Sequence, residues 1–157
     1  MRMRSFKHAQ IKRYSFLAIA LAAGTAAVFY NSKQDLMTMK IGPKEIEIEI
    51  ASDLASRARG LSGRESIAKN KGLLMVFEKP DKHGIWMKDM KFPIDIFWIK
   101  DGKIIHLEKN VQPSAPSTPD SSLPVFQPFM EADSVLETAA GFVEENRIKL
   151  GDPAQLD

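Results

Sequence analysis

The side chains most able to do chemistry in this chain are charged residues on strand-like segments whose other positions are apolar. Ile94 to Ile99 (IDIFWI) puts Asp95 on the same face as Phe97 and Ile99, while Ile94, Ile96 and Trp98 take the other, so both faces read as buried. Lys88 has the same predicament beside Trp86 and Met90, and Glu137 shares a face with Val135. A buried charge without a partner costs several kcal/mol, so these groups require carboxylate–cation pairing across strands or a pocket that uses them. Arg59 and Arg64 flank the glycines Gly60 and Gly63 and can reach inward to fork onto a carboxylate. Asp95 and Glu137 could also serve as an acid–base pair, provided that their oxygens converge on one solvent-accessible point.

Other constellations are weaker. His83, His106 and Glu108 make only a low-grade zinc set, and no metal and no cofactor is expected. Leu61-Ser62-Gly63 lacks the neighbours of a nucleophile elbow, and Gly60, Ser62 and Gly63 do not form a phosphate loop. Trp86, Phe92, Phe97 and Trp98 could stack on a sugar, although clustered aromatics in a small β domain are more often core. The absence of Cys excludes disulfides, thiolate metal sites and a Cys nucleophile.

The elements that position these residues are short. KEIEIEI, residues 44–50, alternates strictly and sets Ile46, Ile48 and Ile50 against a glutamate row that reads as solvated. Ser52 and Asp53 can cap a helix over 54–59 that Gly60 ends, and GLLMVF (72–77) reads as a strand buried on both faces. Segments 85–90 and 94–99 are strands broken at Phe92-Pro93, and Asp101-Gly102 marks a hairpin into 104–107. Five of the nine prolines fall within 112–128, an extended loop that could serve an interaction module as its contact surface. A strand over 134–138, a helix over 142–146 and a last strand over 148–150 complete a mainly β domain. The expected fold is a small antiparallel sandwich or barrel, jelly-roll-like, with one or two short helices.

The first 40 residues are of another kind. Residues 1–13 are basic, and Tyr14 to Tyr30 contains no charge in seventeen residues, roughly 25 Å as a helix. The apolar run through Val28, Phe29 and Tyr30 favours an uncleaved signal anchor over a cleaved signal peptide. Either way the basic flank leaves the N-terminus in the cytoplasm and carries the rest outside, with the membrane as partner through 14–30. Residues 31–40 read as a tether and 41–157 as one β domain. The net charge of +2 divides accordingly: five of the 22 cations lie in 2–13, leaving 17 against 20 acids, or −3, over 14–157. An acidic domain without a basic stripe disfavours nucleic acid.

RGLSGR (59–64), GLLMVF (72–77), WMKDM (86–90), PIDI (93–96), GKII (102–105), VLE (135–137) with Gly141, and Ile148 with Gly151-Asp152 together resemble the domain of unknown function 192 family throughout residues 44–152. The resemblance implies a compact, mostly β domain of jelly-roll or barrel character, often exported, with no established activity. Asp89 stands where the family pattern often has Asn, and Ser62-Gly63 where it often has Met-Phe. The positions it bears on are Arg59, Trp86, Lys88, Asp95 and Glu137. These are the expected ligand-binding residues of an extracytoplasmic domain that takes a small polar ligand or a cell-envelope component.

Overall fold

The structure, a computed structural model, describes residues 37–156. The basic N-terminus, the 14–30 segment and most of the tether lie outside the described residues. Among those described, no helix is long and apolar enough to cross a membrane.

The described residues form nine strands: β1 (Met37–Ile41), β2 (Lys44–Ala51), β3 (Lys71–Asp81), β4 (Ile85–Trp86), β5 (Ile94–Lys100), β6 (Lys103–Val111), β7 (Val125–Phe126), β8 (Ala132–Ala139) and β9 (Ala154–Leu156). Two short helices, α1 (Leu54–Arg59) and α2 (Phe142–Asn146), accompany them. Seven strands form one sheet in the order β6-β5-β8-β3-β2-β1-β9, and β4 pairs with β7 in a separate ribbon.

The mainly β class with short helices holds, but the architecture is a single curled half-barrel. Its edges meet at one end, where residues 151–154 bond to the start of β6 (Gly151 N–H to Ile104 C=O, 2.8 Å; Ala154 N–H to Gly102 C=O, 2.9 Å) while β9 pairs with β1. The sheet is not wholly antiparallel either, since β2 and β3 run parallel, joined across α1. β1 takes in residues read as tether. The strand expected over 85–90 stops at Trp86, where the chain enters a turn with Asp89 at φ 54°. At 148–150 a turn replaces the expected strand and points Ile148 into the core.

Both faces of the sheet are covered, which is why β3 and β5 read as almost unbroken apolar runs. The concave face packs Ile46, Ile48, Leu74, Phe97, Ile99 and Leu136 beneath α2, whose Phe142 meets Phe97 edge to face at 6.1 Å. The convex face packs Leu73, Met75, Ile94, Ile96, Trp98 and Val135 under the loops that carry Leu61 and Met87 and under Ile85 of β4. Asp101 and Gly102, at φ 50° and 72°, turn the β5–β6 hairpin as the Asp-Gly pair requires.

Asp95, 1% exposed, belongs to the concave side and is held by backbone rather than by a cation. β6 carries one extra residue opposite it, a bulge in which Asn110 takes φ 51° and donates its N–H to Asp95 Oδ1 at 2.8 Å. The other oxygen accepts Val143 N–H at 2.8 Å. Gly141 begins α2 and has no side chain to cap it, so Asp95 supplies the cap from a neighbouring strand. Asp95→Ala should strand two backbone donors, the Val143 one buried, and lower stability by about 3 kcal/mol in urea denaturation, with Asp95→Asn losing less. A loss below about 1 kcal/mol would show that these bonds do not organise the bulge and the helix.

Candidate functional site

Glu137 is built into the middle of the sheet. Its strand, β8, lies between β3 and β5, with Leu73 opposite it on one side and Ile96 on the other. Side chains paired in register share a face, so Glu137 stands among convex-face apolar residues. It is 4% exposed, and it makes no hydrogen bond with any described residue; Oε2 is completely enclosed. Burial pushes its carboxyl up to about 7 from an ordinary 4.5, and the Arg64 guanidinium draws it back only in part.

A cavity of about 260 Å³ opens above it. Met75 and Phe77 of β3, Leu61, Ile85 and Met90 give it apolar walls, and Trp86, 41% exposed, stands at its side. The roof is α1 with its C-cap. Asp53 starts that helix with a capping box (Ser56 N–H to Asp53 Oδ1, 2.9 Å), a bond that also lowers the Asp53 carboxyl below its usual range. Gly60 ends it at φ 52°, ψ −131°, a conformation that side chains resist. A Cβ at Gly60 would lie 3.4 Å from Glu137 Oε2 and 3.2 Å from Met75 Cε, so the glycine brings the chain down onto the carboxyl.

Two arginines, Arg57 and Arg59, line the cavity and a third, Arg64, acts on Glu137 through its charge; Arg57 and Arg64 are committed. Arg57 donates to the backbone carbonyls of Ser52 and Val76 and lies 5.1 Å from the centre of the Phe77 ring. Arg64 grips Glu49 with both nitrogens (2.9 and 2.7 Å), a bond that raises the guanidinium's pKa further. The glutamate row of β2 is therefore not simply solvated: Glu49 pairs with Arg64, and Glu47 with Lys71 at 3.2 Å. Arg59 is exposed on the cavity lining, and its guanidinium has no hydrogen-bond or ion-pair partner among the described residues.

Of the five residues expected to gather, Arg59, Trp86 and Glu137 line this cavity. Lys88 lines a second, more polar cavity of about 280 Å³ whose lining shares Met90 with the first. There Lys88 pairs with Asp120 at 2.5 Å, a bond that raises its pKa, and with Asp89 at 3.8 Å. The proline-rich loop thus supplies the partner that strand alternation demanded. Asp95 sits apart, because Asp95↔Thr138 and Ile96↔Glu137 are successive register pairs and side chains alternate. The two carboxyls fall on opposite sides of the sheet, and the acid–base pair loses one member to a structural role.

Ser62, outside the expected set, also lines the first cavity, and its hydroxyl donates to Lys88 C=O at 2.7 Å. Met75 and Phe77 could have been found from their alternation with Leu73 along β3; nothing local marks Arg57. Of the four clustered aromatics, Trp86 alone is on the cavity lining, while Phe97 and Trp98 are core. His83 stacks on Phe77 at 3.4 Å and His106 Nε2 lies 3.3 Å from Glu108, and no group of three metal-binding side chains occurs among the described residues.

Fold and site define a curled β domain with an apolar cavity over a buried, unpartnered carboxyl. The chain belongs to the domain of unknown function 192 family (DUF192, "Uncharacterized ACR"), whose profile matches residues 37–156. Two crystal structures are similar to it. One is of a candidate transcription regulator from Sinorhizobium meliloti 1021, with 25% identity, a TM-score of 0.69, and coverage of 77% of this chain and 92% of that one. The other is of a protein of unknown function from Novosphingobium aromaticivorans DSM 12444, with 22% identity, a TM-score of 0.70, and coverage of 85% and 94%. No curated protein matches the chain.

The raised carboxyl carries a stability consequence. Folded Glu137 holds its proton to about pH 7 whereas the unfolded residue releases it near 4.5, so folding takes up a proton between those values. The group's contribution therefore falls as pH rises through that window. Glu137→Gln has no such titration, and its stability relative to wild type should rise by on the order of 3 kcal/mol between about pH 4 and pH 8. Denaturant melts at both pH values measure this, and a difference that stays constant would place Glu137 in contact with water or a cation.

Proposed function

We propose that the chain is a membrane-anchored β domain held outside the cytoplasm, and that the cavity above Glu137 binds a small polar ligand or a small part of a cell-envelope component. The observation that carries the binding reading is the buried Glu137 carboxyl without a hydrogen bond from any described residue, facing a cavity with one exposed aromatic wall. A protein that needed only stability would gain by replacing this group with an apolar one. A ligand that brings a hydrogen-bond donor repays the burial. The basic flank of residues 1–13 and the uncharged run of 14–30 support the anchoring.

Fragment screening by ¹H–¹⁵N NMR on the full chain in detergent tests the binding. Hits should move the Trp86 indole signal saturably and leave Trp98 still, because the Trp98 indole is buried and bonded to His83 C=O at 2.7 Å. Trp86→Ala should weaken those hits at least tenfold with little change in Tm, since the side chain is half exposed. Hits scattered over the surface, with Trp86 unmoved, would contradict the reading.

The topology has its own test. Fractionation should recover the chain with membranes, and protease added to the outer face should digest the domain. Recovery in the cytosol would remove the anchor.

A further inference from the structure

We infer that the ligand of the Glu137 cavity is a hydroxylated organic anion of monosaccharide size, with its negative group on Arg59 and a hydroxyl on Glu137. The inference rests on the binding reading above and adds the ligand's chemical class.

Charge at the cavity mouth selects the sign. Arg57 and Arg64 are held by the protein's own oxygens, and Glu49 offsets Arg64. Arg59 lines the cavity with its guanidinium unpartnered among the described residues. A planar fork of that kind suits a carboxylate or a phosphate, and the surplus of cations around the cavity opposes an amine. Glu137 lies deeper, against Gly60 and Met75, where a second anion would be repelled and a hydroxyl can bond the carboxyl in either protonation state. Trp86, Phe77 and Ile85 line the same cavity with apolar surface suited to the C–H face of a ring. A volume of about 260 Å³ equals the share of roughly nine waters, which admits one sugar ring and a substituent.

The test is titration of the full chain in detergent with glucuronate, glucose 1-phosphate, glucose and glucosamine, followed at the Trp86 indole. At least one of the two anions should bind tenfold or more tighter than glucose, and which one wins separates a carboxylate from a phosphate ligand. Glucosamine should be weakest. Arg59→Gln should bring the preferred anion to the level of glucose, whereas Lys103→Gln, an exposed cation on β6, should leave it unchanged. Equal binding of anions and glucose, tightest binding of glucosamine, or an anion preference that survives Arg59→Gln would overturn the inference while leaving the cavity as a binding site. Absence of saccharide binding alongside Trp86-directed fragment hits would overturn it too. Absence of both would remove the binding reading as well.

Discussion

A sheet covered on both faces has no solvent side on which to leave a charge. The curled β5-β8-β3 centre of this domain meets that constraint twice, with opposite outcomes. Asp95 lies within the concave layer, and two backbone N–H groups satisfy its oxygens. Glu137 lies within the convex layer and accepts nothing from any described residue. The first arrangement fixes the β6 bulge to the start of α2 and so closes the concave core. The second leaves chemical capacity in the wall of a cavity.

The rest of the convex side is organised around that unspent carboxyl. The glycine that ends α1 allows the backbone to descend onto it, and the Arg64–Glu49 fork sets a neutralised pair nearby, close enough to temper its proton affinity without bonding to it. Arg57 pins α1 over β3, so the cavity roof is attached through a few contacts and buries none of its own side chains. A lightly held roof over a preformed floor is an arrangement that admits a small molecule without disturbing either core.

What could be read from the sequence follows from the range of each signal. Period-two alternation is local, and it isolated Asp95 and Glu137 as charges on buried faces. Asp-Gly at 101–102 and the Asp53/Gly60 boundaries of α1 are equally local and were legible. The pairing of β2 with β3 in parallel and the meeting of residues 151–154 with β6 depend on contacts far apart in the chain, which no window of residues encodes. The same limit applies to partners. Asp95 is satisfied by N–H groups 15 and 48 residues away, and backbone donors leave no mark on side-chain identity. Lys88 finds Asp120 inside a loop whose composition announces only irregularity. Alternation could say that three charges needed partners, and the register between β5 and β8 was needed to show that Asp95 and Glu137 do not share one site.

The cavity's role depends on Glu137 being enclosed and without a partner among the described residues in the free protein. Its carboxyl can be followed by ¹³C NMR through a pH titration of the folded, ligand-free chain. A single step with a midpoint near 7 is the predicted result. A midpoint at or below the ordinary 4.5 would mean that water or a cation already satisfies the carboxylate, and would contradict the reading of this cavity as a site prepared for a ligand.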